Sequence, residues 1–293
     1  MKSVSKTIIF FGSGPVAASS LEFLSSRFDI EAVITKSVPP HHRGVAPVEK
    51  LAKCLGLPIM FANNKQELEK LASDHAFLSD LGIIIDYGVI VSERIIRSFS
   101  LGIVNSHFSL LPQWRGADPI TFSILSGQKK TGVSLMLIEQ SLDTGKLLAQ
   151  RSLPIQATET APSLTVKLIK LSNSMLVKYI PLYQSGVIRP KHQPHPDRAT
   201  YSRKLKKHDG LIDQKKSALE IEREIRAYID WPGSQTQLLD RLVIITKAHV
   251  SSIPKTTLDI LCGDGAYLSI DELIAPSGRR MNVSSYINGY AAA

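Results

Sequence analysis

The sequence predicts an α/β protein in which a mostly parallel sheet with helices on both faces fills residues 1–185 and a small β-barrel-like domain fills residues 211–293. Three observations carry that reading. Short β-branched runs alternate with helical patterns through the first 155 or so residues, the signature of strand–helix–strand crossovers. A stretch at 186–210, rich in proline, histidine and basic residues and without an apolar period, reads as a linker. Beyond it, one helical pattern is followed by short strands bounded by turn signals. At 293 residues the chain suits one large domain plus a smaller one.

The elements follow in order. The runs KTIIFF, IEAVIT, LPIMF, LGIIID and GIVNSH read as strands. Between them PVAASSLEFLSS, PVEKLAKCL, KQELEKLASDH and SERIIRSF place apolar residues at spacings of three and four, as crossover helices do. DPITFSILSG reads as a helix entered through Pro119 and closed by Gly127. TGVSLMLIE and KLLAQRSLPI read as two more strands around the loop QSLDTGK, and a long helix is expected at about 162–184. After the linker, SALEIEREIRAY reads as a helix, and LLDRLVIITKA, KTTLDILCGDG and AYLSIDELI as strands. In sheets of this kind ligands sit at the carboxyl ends of the strands, near the point where the winding reverses.

Composition excludes several classes. No apolar run approaches the roughly 18–20 residues that a membrane span needs. The opening MKSVSKTIIFFGSG holds too short an apolar run for a secretory signal, so a cytoplasmic protein is expected. Cys54 and Cys262 stand far apart without metal-site spacing, so no metal is expected and both thiols read as inert. The net charge is +9, and residues 167–216 alone hold 12 Lys/Arg against 3 Asp/Glu, so this block carries the whole excess. A block of that kind is either a solvated surface or a footprint for a phosphate backbone.

Two stretches carry candidate chemistry. In FFGSGPVA, Gly12, Gly14 and Ala17 have dinucleotide-binding spacing, yet the second strand runs into Lys36 where that motif wants an acid for the ribose. A tight strand-to-helix turn with Pro15 at the first helical position explains these residues better. In VNSHFSLLPQWRGADPI, Asn105 and His107 are two apart on a strand and project to the same side, whereas Ser106 points to the other. Pro112 and Pro119 shape the loop that follows, and Leu110, Leu111 and Trp114 are expected to wall an apolar pocket beside it. Asp143, in SLDTG, stands where it could turn back toward the imidazole. An amide donor, an imidazole and a carboxylate suit acyl transfer, and with no convincing protein nucleophile the attacking group belongs to a substrate.

NSHFSLLPQWRGADPI followed by TGVSLMLIEQSLDTGKLL resembles the folate-dependent formyltransferases, and the Trp-Arg-Gly-Ala-x-Pro-Ile form is similar to the branch that acts on charged initiator tRNA. ATYSRKLKKHDGLID, IEREIRAYIDWPGSQT and SGRRMNVSSYINGY extend the resemblance over nearly the whole chain. It implies a Rossmann-like catalytic domain at 1–185, a basic linker at 186–210 and an OB-like tRNA-binding domain at 211–293. It assigns Asn105 to the formyl oxygen, His107 to a charged or proton-donating role, and Asp143 to setting the state of His107 and moving a proton. Ser109, Leu110, Leu111 and Pro112 match the folate-contacting loop, and Tyr87, Gly88 and Val89 match the segment lining the pterin pocket. The formyl donor implied is 10-formyltetrahydrofolate, and the acceptor is the α-amino group of methionyl initiator tRNA. Lys36, Arg43, Arg203, Lys204, Lys206 and Lys207 are expected to contact that tRNA, and a monomer is expected.

Two features depart from the pattern. TKSVPPHHRGVAPVEK is shorter than the basic loop with which the family reaches the acceptor end, and GSGPV lacks the aromatic residue common after its proline. A formyltransferase acting on a nucleotide-linked amino sugar and a formyl-folate hydrolase would use the same three residues. The basic block favours tRNA, because a nucleotide sugar needs few positive contacts. A non-enzymatic RNA-binding protein would keep the block without needing Asn105, His107 and Asp143 together.

Overall fold

The computed structural model describes residues 7–38, 44 and 46–290. The chain divides into two units, the first made of Met1–Pro119, Thr131–Leu153 and Thr165–Ser202, the second of Ile120–Lys130, Pro154–Leu164 and Arg203–Ala293.

The first unit is built on β1 (Thr7–Phe11), β2 (Asp29–Thr35), β3 (Ile59–Phe61), β4 (Gly82–Ile84), β5 (Ile103–His107), a short β6 (Arg115–Gly116), β7 (Lys130–Leu137), β8 (Leu147–Pro154) and a short β9 (Tyr201–Ser202). Its helices are α1 (Pro15–Ser25), α2 (Pro47–Cys54), α3 (Lys65–Asp74), α4 (Glu93–Arg97) and most of α6 (Ala161–Gln184), while α5 (Pro119–Leu125) lies almost wholly in the second unit. Seven strands form one sheet in the order β3-β2-β1-β4-β5-β7-β8. The pairs from β3 through to β5 are parallel, and β7 runs antiparallel to β5. The chain therefore winds outward from β1 in one direction, to β3, then returns to β4 and winds the other way. That puts the reversal between the carboxyl ends of β1 and β4. Ile8, Ile9, Phe10 and Phe11 of β1 are all fully buried, because a central parallel strand is covered on both faces.

The segment expected to be a linker departs from that reading. Lys191 bridges Leu147, Gln193 is buried, and β9 pairs in parallel with β6, so the first unit extends through Ser202. Its order comes from hydrogen bonds rather than apolar contacts, which is why no periodicity announces it.

The second unit holds α7 (Ala218–Ala227), β10 (Ser234–Leu238), β11 (Arg241–Ser251), β12 (Ile260–Leu261), β13 (Tyr267–Ile274), β14 (Arg280–Asn282) and α8 (Val283–Tyr290). Its five strands form an antiparallel sheet, in keeping with the OB-like domain expected. The start of α7 follows from Ser217 and Glu220, which form a reciprocal capping box. Ile221 and Ile225, one turn apart, bury one face of α7 in a core with Val243, Ile245, Leu268, Leu273 and Tyr286. Among the described residues no helix is long and apolar enough to cross a membrane.

Candidate active site

The site stands at the carboxyl end of β5. Ser106 Oγ lies 2.6 Å from Ser172 Oγ of α6, so Ser106 points to that face and the alternating side chains of Asn105 and His107 point to the other. The Asn105 amide is half-buried and makes no hydrogen bond with another described residue, which leaves its N–H donors available. His107 is 5% exposed. Its Nε2 lies 2.9 Å from the Trp114 carbonyl oxygen, which can only accept, so the proton is assigned to Nε2 and Nδ1 carries the lone pair in the neutral ring. That Nδ1 faces Asp143 Oδ2 at 3.7 Å.

Burial lowers the proton affinity of His107, and the Asp143 carboxylate and the Trp114 carbonyl pull it back without overcoming burial. The ring is thus neutral near neutral pH. Removing the negative charge of Asp143 takes away the main support of the imidazolium. His107 should therefore titrate below its ordinary 6.5, and Asp143→Asn should move the midpoint lower still. Histidine-resolved NMR titration measures both, and a midpoint above 6.5, or an upward shift in the variant, would contradict this electrostatic picture.

Asp143 is held from two sides. Its backbone is left-handed, with φ of +51°, and its Oδ2 accepts the Gly116 N–H at 2.7 Å. Gly116 itself has φ of +115°, and a Cβ there would stand 2.2 Å from the Ser202 carbonyl oxygen. Only glycine allows β6 to approach β9 so closely. The Trp114 N–H donates to Thr200 Oγ1 at 2.9 Å and the Arg115 N–H to the Thr200 carbonyl at 2.9 Å, so the loop that follows β5 is pinned by the segment that follows α6.

The other expected site residues divide. Ser109 and Leu111 are buried, and they frame the loop: Ser134 Oγ donates to the Ser109 carbonyl at 2.6 Å and accepts the Leu111 N–H at 3.1 Å. The side chain of Leu111 is therefore core, not the pocket wall expected of it. Pro112 is also buried, and Leu110 is half-buried. Tyr87 is 2% exposed, donates its hydroxyl to the Ala62 carbonyl at 2.8 Å and packs edge-on against Phe11. Its side chain belongs to the core, whereas Gly88 is exposed and Val89 half-buried. Lys36 Nζ lies 3.4 Å from where a side-chain carbon of residue 88 would stand, beside that same segment. Arg43 lies outside the described residues. Arg203 forms a bidentate pair with Asp209 at 2.6 and 2.7 Å and holds that carboxyl well below the usual carboxylate range. Lys204, Lys206 and Lys207 are exposed. Sequence reasoning missed Arg115, Gln193, Thr200 and Ser202, whose partners lie far away in the chain.

The Gly12–Ala17 turn is occupied from above. The N–H groups of Ser13 and Gly14 point to the Asp86 carbonyl, and Asp86 Oδ2 would lie 2.0 Å from a Cβ at position 14. A pyrophosphate reaching this turn would meet a carboxylate. No saturable binding of NADH or NADPH is expected in a fluorescence titration, and micromolar binding of either would restore the dinucleotide reading.

Residues 6–180 match the formyl transferase family, and residues 204–291 match the formyl transferase C-terminal domain. The chain is 36% identical to a methionyl-tRNA formyltransferase of Roseiflexus castenholzii over 94% of this chain and 93% of that one. It is 33% identical to a methionyl-tRNA formyltransferase of Myxococcus xanthus over 98% and 96%. Among solved structures it resembles an N-formyltransferase from Helicobacter canadensis in complex with folinic acid and dTDP-3-aminofucose. There the TM-score is 0.67 at 20% identity, covering 90% of this chain and 98% of that one, a likeness of fold.

Proposed function

The chain belongs to the formyl transferase family, and on that premise we propose that it transfers the formyl group of 10-formyltetrahydrofolate to the α-amino group of methionyl initiator tRNA. The near-full-length similarity to methionyl-tRNA formyltransferases supports the acceptor, and the convergence of Asn105, His107 and Asp143 supports the chemistry. As the amine adds to the formyl carbon, a new C–N bond forms and charge gathers on the formyl oxygen. Asn105 donates a hydrogen bond to that oxygen. His107 takes the amine's proton at Nδ1, which converts the 3.7 Å approach to Asp143 into an ion pair and places a positive charge beside the oxyanion. The proton then passes to the folate nitrogen as its bond to the formyl carbon breaks. Leu110, Gly88 and Val89 offer the accessible surface for the folate, with Ser109, Leu111, Pro112 and Tyr87 shaping it from within. The working form is a cytoplasmic monomer.

Incubation with 10-formyltetrahydrofolate and charged initiator tRNA, followed by detection of formyl-methionine, tests this reading. Product on a nucleotide-linked amino sugar, with none on the tRNA, would overturn it.

The exposed lysines separate the two acceptors. Each neutralised phosphate releases counterions, so Lys204, Lys206 and Lys207 on a tRNA backbone give affinity a steep salt dependence. Changing all three to Gln should weaken tRNA binding and flatten that slope while the rate at saturation stays near wild type. An unchanged slope across several salt concentrations would remove this segment from the interface.

A further inference from the structure

We propose that Gln193, in the segment between α6 and β9, is a positioning residue that holds Asp143 against His107. The amide makes contacts in two directions at once. Its Nε2 donates to the carbonyl of Asp143 at 2.7 Å and to that of Gly145 at 3.0 Å, and its Oε1 accepts from Arg115 Nη2 at 2.8 Å. Gln193 is 7% exposed and Arg115 is 6% exposed, so these bonds are made away from solvent. Two carbonyls on either side of Thr144 are thus gathered onto one amide, which closes the turn that presents the carboxylate.

Such a turn needs external support. A non-glycine residue in the left-handed region is disfavoured unless its surroundings hold it there, and Asp143 is one. The side chain is anchored by the Gly116 N–H and the backbone by Gln193. Both anchors trace to one strip of chain, because Arg115 precedes Gly116 and Arg115 is the group that orients the Gln193 amide. An arginine guanidinium only donates, so it fixes Oε1 on its own side and turns the two N–H donors toward the Asp143 turn. Among the described residues Arg115 meets no carboxylate within ion-pair distance, and its Nε has no partner, so Gln193 is the side chain that satisfies it. Asp143 is the charged group that acts on the His107 ring, while the Arg115 guanidinium is engaged with Gln193 Oε1.

This inference rests on the formyl-transfer reading for its kinetic arm alone. Two near-isosteric substitutions divide the contacts: Gln193→Met removes all three, and Gln193→Glu keeps a partner for Arg115 while losing the donors to the turn. Both should lower the single-turnover rate about tenfold or more while folate and tRNA affinities stay within about twofold. In an Asp143→Asn background neither should lower it further, because a residue acting through Asp143 has nothing left to position. The substrate-free readout is the NMR titration of His107, which Gln193→Met should move downward toward the Asp143→Asn value. Gln193→Glu with wild-type rate would overturn the proposal. So would equal losses in the two backgrounds, or an unmoved His107 titration in Gln193→Met. A wild-type protein that forms no formyl-methionine would instead overturn the activity and leave the titration result standing.

Discussion

Asn105→Ala and His107→Ala are each expected to lower the rate of formyl transfer by about 10²–10³ while tRNA binding changes little. For Asn105 the reason lies in its freedom: the amide is half-buried, unbonded within the described residues, and aimed to the same side of β5 as the imidazole. A donor already fixed by a strand needs no reorganisation when charge appears, so its removal is felt in the transition state and little in the ground state. For His107 the loss has a second part, because Asp143 then faces no imidazole and the carboxylate loses the ion pair that forms as the proton moves. Single-turnover kinetics at saturating substrates measures both. A near-wild-type rate in either variant would remove that residue from the chemistry.

Gly116→Ala is expected to damage stability and activity together. Residue 116 has φ of +115°, and the added methyl would meet the Ser202 carbonyl at 2.2 Å, where no backbone atom can yield cheaply. The pairing of β6 with β9 would open, the Gly116 N–H would leave Asp143, and Thr200 would lose its hold on Trp114 and Arg115. A cost of at least ~2 kcal/mol and a rate loss of about 10² or more are expected from strain plus misplacement. Thermal unfolding and single-turnover rates provide the check. A variant with wild-type melting temperature and wild-type rate would show that β6 and β9 do not need this close approach.

Much of this was legible before any fold was known. The seven strands of the large sheet and the helices around it follow from short apolar runs and from apolar spacings of three and four, which are local signals, whereas the short pair β6 and β9 does not. The outward pairing of Asn105 with His107, and the opposite aim of Ser106, follow from the two-residue repeat of a strand. What a side chain meets once the chain closes is a different matter. Tyr87 lies in a segment expected to line the site, yet beside the left-handed turn at Asp86, with φ of +46°, its ring packs inward onto Phe11. Asp86 is twelve residues beyond the end of α3, and nothing local says that its carboxylate will cover Gly14.

The sequence alone thus determined the seven strands of the large sheet and the face of β5 that carries the amide and the imidazole, because each depends on neighbours within a few residues. How the chain divides into two units was not among them, since Ile120–Lys130 and Pro154–Leu164 leave the first unit for the second. Tertiary structure alone decided what holds them in place. Gln193 reaches Asp143 across 50 residues and Arg115 across 78, and Thr200 reaches Trp114 across 86. Contacts at such separations depend on where the sheet returns the chain. Their members are polar groups that seek single partners, so they leave no periodic trace in a sequence and the strip that carries them reads as a linker.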